Sequence, residues 1–415
     1  METFKTLGLD EEVLKGIAKL GFETPTPIQQ QAIPVLLQGD RDFIGLAQTG
    51  TGKTAAFVIP LLHKVHQAKK IGRPKGIQAL VMAPTRELAL QITDVFHKIG
   101  KNTRIKTLCL FGGVEQDPQI RQLVNGVDIL VSTPGRMFDL IHQGYVVLDH
   151  METLVLDEAD HMLALGFIRD IEDVLRHLPN RRQTLFFSAT IDDQIKKLAY
   201  NIVRNAIRIQ IAPDDRVNKN IHHTVAFIEM DDKRFFLERV INENPTSKII
   251  VFVRTKVRAE RVKAAMQRVG IKGETLHGDK EQQERLLVLK QFRENTCSLL
   301  IATDITARGI DIPEVDFVIN YDLPDEPENY VHRVGRTGRG VAKGKAVSFC
   351  SSEEKMLLAE IEKYLQKPIE VLDIDPNAYE ETIVFSEDPT QVYDWKSLVK
   401  EAEKSQPIKK KKKKK

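Results

Sequence analysis

The chain has 415 residues, 42% of them apolar and 29% charged, with 61 Lys and Arg against 58 Asp and Glu for a formal net charge of +3. That length suits about two or three ordinary domains, each able to bury its own core, and the composition is that of a soluble globular protein. No stretch approaches the roughly 18 apolar residues of a membrane span, the first residues lack the basic start and apolar core of a secretory signal, and Cys109, Cys297 and Cys350 are scattered, so a cytoplasmic protein with reduced, buried thiols is expected.

Residues 1–211 alternate short β-branched runs with helical patterns, the form of a parallel sheet covered by crossover helices. Strands are expected at 42–46, 78–83, 128–131, 153–156 and 184–187, each running into a polar or glycine-containing turn. In open parallel sheets, ligands bind outside the carboxyl ends of strands, so these dispersed turns can converge on one edge. Residues 212–219, rich in Pro, Asp, Arg, Asn and Lys, break both periodicities and read as a linker. A second α/β domain follows over 220–375, with strands expected at 248–253, 298–302, 317–320 and 345–349. Residues 376–415 read as an extension that decays into the run Lys409 to Lys415, a disordered polycation suited to capturing nucleic-acid phosphates. Tyr393 and Trp395 in that extension carry no assigned role.

Ala47-Gln-Thr-Gly-Thr-Gly-Lys-Thr54 follows an expected strand and opens a helix. Thr49, Gly50, Thr51 and Gly52 form a loop whose backbone N–H groups can approach phosphate oxygens, Lys53 supplies a counter-charge and Thr54 a hydroxyl for magnesium. Ala47 stands where the general pattern has glycine. Leu154-Val-Leu156 then delivers Asp157 and Glu158 to the same edge, one carboxylate for hydrated magnesium and one to orient or deprotonate the attacking water. In His332-Arg-Val-Gly-Arg-Thr-Gly-Arg339, Arg336 and Arg339 lie three residues apart and can present two guanidiniums to one anion across an interdomain cleft.

Asp157-Glu-Ala-Asp160, the phosphate loop, Ser188-Ala-Thr190 and the arginine-rich segment together resemble the DEAD-box RNA helicase family over nearly the whole stretch from Phe4 to Phe349. The resemblance implies two tandem RecA-like parallel-sheet domains with ATP and Mg2+ between them and RNA across both. It implies that Gln29, Phe22 and Thr24, in Gly21-Phe-Glu-Thr-Pro-Thr-Pro-Ile-Gln29, form an adenine pocket, Gln29 bonding the base edge and favouring ATP over GTP. Thr85, Arg86, Gly112, Gly113, Thr133 and Arg136 are implied as first-domain RNA contacts, with Arg254, Gly278 and Thr303 as their second-domain counterparts. Gln282 and Arg285 also match a family element, Gly309 and Asp311 are implied at the nucleotide, with Asp311 on the ribose, and Ser188 and Thr190 are implied to bond Asp160 and couple hydrolysis to closure. Thr306 departs from the small apolar residue usual in the family. His161, His277 and His332 lack metal-ligand spacing and read as hydrogen-bonding neighbours.

The expected function is ATP-driven binding and local unwinding of RNA through sequence-independent backbone contacts, by a monomer with possible ribosomal or RNA-decay partners. An ATP-gated RNA clamp with little unwinding uses the same residues, and a DNA translocase is disfavoured by the 2′-hydroxyl recognition the resemblance implies. The physiological RNA is not written in the sequence.

Overall fold

The computed structural model describes residues 3–39, 41–47, 50–72, 76–179, 182–189, 193–211, 217, 219–304, 315–338, 343–384 and 386. These form two seven-stranded sheets in which every pairing is parallel. The first contains β1 (Phe43–Leu46), β2 (Ala79–Met82), β3 (Thr107–Leu110), β4 (Ile129–Ser132), β5 (Thr153–Leu156), β6 (Gln183–Ser188) and β7 (Ile207–Gln210), in the order β3-β4-β2-β5-β6-β1-β7. The second contains β8 (Ile221–Phe227), β9 (Ile249–Phe252), β10 (Glu274–Leu276), β11 (Leu299–Ala302), β12 (Phe317–Asn320), β13 (Gly344–Cys350) and β14 (Glu370–Val371), in the order β10-β11-β9-β12-β13-β8-β14.

Parallel neighbours need crossovers, and helices provide them. Around the first sheet lie α1 (Glu11–Lys19), α2 (Pro27–Gln38), α3 (Lys53–Lys70), α4 (Arg86–Ile99), α5 (Asp117–Val124), α6 (Pro134–His142), α7 (Ala159–Ala164), α8 (Ile168–Arg176) and α9 (Asp193–Ile202). Around the second lie α10 (Lys233–Glu243), α11 (Lys256–Arg268), α12 (Gln282–Arg293), α13 (Pro327–Val334), α14 (Lys355–Leu365) and α15 (Pro376–Val384). Alternation of side chains along a strand divides each core in two. Ala79 and Val81 of β2 face one cluster while Leu80 and Met82 face the other, and Ile249 and Val251 of β9 oppose Ile250 and Phe252 in the same way.

The strands β3, β7, β8, β10 and β14 were not expected from the sequence. Four of them lie at sheet edges, where one flank is polar, and β8 carries two histidines. The edge at β3 is blunted by side chains: His97 Nε2 lies 3.2 Å from Thr107 O, and the Gln119 amide accepts from Phe111 N–H and donates to Phe111 O, as a neighbouring strand would.

The expected extension needs correction at its start, because α15 packs on the second domain. Tyr379 stacks on Phe236 at 4.8 Å and donates from its hydroxyl to Asp232, while Arg239 donates to Thr382 Oγ1. An aromatic contact and side-chain hydrogen bonds anchor a segment whose apolar pattern alone is too sparse to show it. The run Lys409 to Lys415 lies outside the described residues.

Packing is tightest where α1 crosses the end of α4: a Cβ on Gly16 would lie 1.9 Å from Ile99 O, whereas one on Gly135, at the start of α6, would meet nothing within 4 Å. Gly16→Ala should therefore destabilise the first domain by about 1–3 kcal/mol through forced displacement of α1. Gly135→Ala should be neutral or gain up to about 1 kcal/mol. Denaturant unfolding of both variants checks the contrast, and equal stabilities would contradict it.

Candidate active site and nucleic-acid interface

Strand order sorts the candidate residues before any side chain is considered. At the carboxyl edge of the first sheet, the neighbours β5, β6 and β1 end in Asp157, Ser188 and the phosphate loop, and the neighbours β3, β4 and β2 end near Gly112, Thr133 and Thr85. The second sheet repeats the division: β10, β11 and β9 are contiguous and end near Gly278, Thr303 and Arg254. Nucleotide-type and RNA-type residues thus occupy different halves of one edge.

In the nucleotide half, α3 begins at Lys53 behind Gly52, whose φ of 90° lies in the left-handed region, and its first turn carries no acidic residue. The positive end of the helix is left for an outside anion. Lys53 is only 6% exposed, and its ammonium has no hydrogen-bond partner among the described residues. A buried, unpartnered cation is costly until an anion meets it. The cavity around it, about 390 Å³, is lined by Gly50, Gly52, Lys53 and Thr54 of the loop, by Phe22 and Gln29, and by Asp157, Glu158 and Arg336. Thr51 sits in the same loop, half-buried, and Thr49 lies outside the described residues.

β5 is buried along its whole length, so Asp157 emerges at the edge of the sheet almost fully enclosed. Burial pushes its pKa up to about 7, with Lys53 opposing and Glu158 reinforcing the rise. The Lys53 charge alone does not offset that enclosure. Glu158 has φ 51°, a left-handed conformation that costs a non-glycine residue about 1–3 kcal/mol, and its N–H donates to Asp157 Oδ1 at 3.0 Å. For Glu158, burial works upward, but the His161 hydrogen bond and the charges of His161, Lys53 and Arg336 outweigh it and hold its pKa near 2. Among the described residues no group of three or more His, Cys, Asp or Glu could hold a metal by itself. A magnesium ion at Thr54 and Asp157 would therefore draw further ligands from phosphate and water, and the under-compensated Asp157 suits it.

Gln29 does more than the sequence reading expected. Its Oε1 accepts from Thr26 N–H and its Nε2 donates to Gly52 O, binding the loop before α2 to the phosphate loop. A Cβ on Gly52 would come within 2.5 Å of that amide nitrogen, so glycine is required there by the contact as well as by φ. One N–H and one lone pair of the amide remain for a base. Phe22 is exposed at the cavity rim. Thr24 is exposed, outside the lining of the cavity, while Pro25 beside it is buried. Asp160 accepts from Ala189 N–H at 3.0 Å, so this bond to the Ser188-Ala-Thr190 segment comes from the backbone between the two hydroxyl residues; Thr190 lies outside the described residues. Gly309, Asp311 and Arg339 lie outside them as well.

Arg336 is 4% exposed, reaches the cavity from the second domain and donates to His332 O. Its neighbour Arg333 faces away, forked onto Asp304 with two contacts of 2.6 Å and bonded to Asp322 O. The two arginines thus divide between structure and site, which spacing alone does not reveal.

In the other half, Thr85 caps α4 by accepting from Leu88 N–H, and Thr133 stands at the start of α6. Gly113 has φ 77°, and a Cβ there would fall 2.3 Å from Arg86 Nη1; Arg136 donates to Val114 O in the same loop. Arg86 bridges to the second domain, donating from Nη1 to Gln282 Oε1 at 3.1 Å. Beside it the buried Glu87 accepts from Gln282 Nε2 and pairs with Arg285 at 2.8 Å. Burial, then Arg285 and Arg136, lower the Arg86 pKa against the pull of Glu87, a crowding of cations that a phosphate would relieve. Arg254 is exposed and pairs loosely with Asp325 and Glu354, Gly278 is exposed, and Thr303 is buried at the end of β11. Glu87 was not anticipated from the sequence, since a glutamate in a first helical turn is ordinary.

The chain matches the DEAD/DEAH box helicase family over residues 26–198 and the helicase conserved C-terminal domain over residues 232–341. It is 43% identical over 372 residues to the DEAD-box ATP-dependent RNA helicase CshA of Geobacillus kaustophilus, covering 89% of this chain and 78% of that protein. To the protein of the same name from Bacillus subtilis it is 40% identical, with 89% and 73% covered. Among solved structures, Saccharomyces cerevisiae Dbp5 bound to RNA and ADP BeF3 superposes with a TM-score of 0.80 at 33% identity, covering 97% of this chain and 99% of that one. The helicase Mss116 bound to ssRNA and UDP-BeF gives 0.83 at 28% identity, covering 97% and 88%. With both halves of the chain matched, the two sheets are the tandem RecA-like domains of these proteins, and the chain belongs to the family of DEAD-box ATP-dependent RNA helicases.

Proposed function

We propose that the cavity around Lys53 binds ATP with magnesium and hydrolyses it when the two domains close on RNA. The observation that carries this reading is the buried Lys53 ammonium, without a hydrogen-bond partner among the described residues, in one cavity with Asp157, Glu158 and the second domain's Arg336. Lys53 and the α3 N-terminus hold the β- and γ-phosphates, Gln29 reads the base with its remaining N–H and lone pair, and Thr54 and Asp157 would hold magnesium. The ion, when bound, neutralises charge on the phosphates. Glu158 accepts a proton from the attacking water as the new P–O bond forms and the bond to ADP breaks. Arg336 stabilises charge on the transferring group from the opposite domain, an effect worth roughly 10³ to 10⁵ in rate. RNA phosphates and sugars lie on Thr85, Arg86, Gly112, Gly113, Thr133 and Arg136, then on Arg254, Gly278 and Thr303. The Arg86–Gln282 and Glu87–Arg285 contacts hold the two RNA surfaces side by side. The localisation best supported is the cytoplasm, since no helix among the described residues is long and apolar enough to cross a membrane and reduced thiols suit that compartment.

Lys53→Ala should abolish nucleotide binding. Glu158→Gln should bind ATP normally and lose on the order of 10² to 10⁴-fold in RNA-stimulated turnover, because the amide keeps the shape and cannot take the proton. Nucleotide affinity and steady-state hydrolysis separate the two, and normal turnover in Glu158→Gln would remove that residue from the chemistry.

Because contacts to RNA fall on backbone and are divided between two domains, closure should distort a few base pairs rather than drive travel. Unwinding should fall steeply once a duplex exceeds about one helical turn, each added step resisting by about 1–2 kcal/mol. Unwinding rates measured on RNA duplexes of increasing length check this. Rates independent of length would favour translocation, and no unwinding at any length would favour the clamp.

A further inference from the structure

His161, the residue after the second aspartate of Asp157-Glu-Ala-Asp160, lies on α7 one turn beyond Glu158 and is 4% exposed. Its Nδ1 stands 3.4 Å from Glu158 Oε2. A carboxylate only accepts, so Nδ1 carries the hydrogen and the tautomer is set by this contact. The other ring nitrogen, Nε2, is buried and has no hydrogen-bond partner among the described residues. The imidazole therefore makes one side-chain hydrogen bond, and that bond is to Glu158.

The remaining oxygen of the carboxylate is placed by the same contact. Glu158 leaves the chain in a left-handed conformation at the start of a short helix, and it lines the cavity. Among the described residues none donates to Oε1, while Oε2 is held by His161. One oxygen is anchored and the other is free to meet water.

We propose that His161 is a positioning residue for hydrolysis: by donating from Nδ1 to Glu158 Oε2 it fixes the carboxylate plane so that Oε1 faces the attacking water. This rests on the reading of Glu158 as the group that accepts the water proton. Small displacements of a reacting group lower rates steeply, so loss of the anchor acts on turnover and leaves nucleotide binding to Lys53 and Gln29.

The test measures RNA-stimulated ATPase and affinity for a non-hydrolysable ATP analogue in the full chain. His161→Leu should lower kcat roughly tenfold with analogue affinity within about twofold of the parent. His161→Asn, whose amide N–H falls near the position of Nδ1–H, should recover to within about threefold, whereas His161→Gln, whose amide falls near Nε2, should not. Added to Glu158→Gln, His161→Leu should have no further effect, because both remove one function. A His161→Leu enzyme with the parent rate overturns the proposal, as does equal loss in Asn and Gln or a further equal drop on top of Glu158→Gln. If His161→Leu fails to fold, the Asn and Gln pair decides alone. An active Glu158→Gln would instead overturn the role of Glu158, while an inactive Glu158→Gln beside an active His161→Leu removes His161 only.

Discussion

Parallel pairing in both sheets brings every strand's carboxyl end to one edge, and the order of strands along that edge decides what each segment of chain can touch. Because β1, β5 and β6 are neighbours, the phosphate loop meets two segments that lie more than a hundred residues further along the chain, around one cavity. Because β2, β3 and β4 are neighbours, another three meet beside it. The second sheet is ordered likewise, so on the proposed function bringing the two edges together would complete both sites in one movement. No separate relay between the sites is needed: the same rigid sheet carries each half.

The second feature is unbalanced charge. Lys53 is a buried cation with no hydrogen-bond partner among the described residues, burial raises the Asp157 pKa, and Arg86 is pressed by Arg285 and Arg136. Each arrangement is costly in the free protein and is relieved by a ligand of opposite sign, phosphate for the first and third and a divalent cation for the second. The Glu87–Arg285 pair, by contrast, is balanced within the chain, and it joins the domains. A buried pair of this kind contributes little to net stability, but breaking it leaves a charge stranded, so it favours one docking geometry over others.

The sequence makes the site motifs legible because each is a short string at a strand end, where backbone geometry and chemistry coincide. It exposes less of the framework. Edge strand β7 sets Arg208 and Gln210 beside its two isoleucines and so lacks an apolar run, and the docking of α15 depends on Tyr379 meeting a ring more than a hundred residues away. Residue roles are legible only in part. Arg333 and Arg336 look alike in sequence, yet one is folded into an Asp304 fork and the other faces the cavity. Thr24 is exposed while Pro25 beside it is buried, Gln29 is bonded to the phosphate loop, and the contact of His161 with Glu158 arises from one helical turn following a left-handed residue. These depend on side-chain direction, which no spacing rule fixes.

The claim that one closure assembles both sites is tested most directly by a binding cycle: affinity for single-stranded RNA with and without a non-hydrolysable ATP analogue, and affinity for the analogue with and without RNA. Shared assembly requires each ligand to tighten the other by the same factor, on the order of tenfold or more. Affinities that are independent of the other ligand would contradict it.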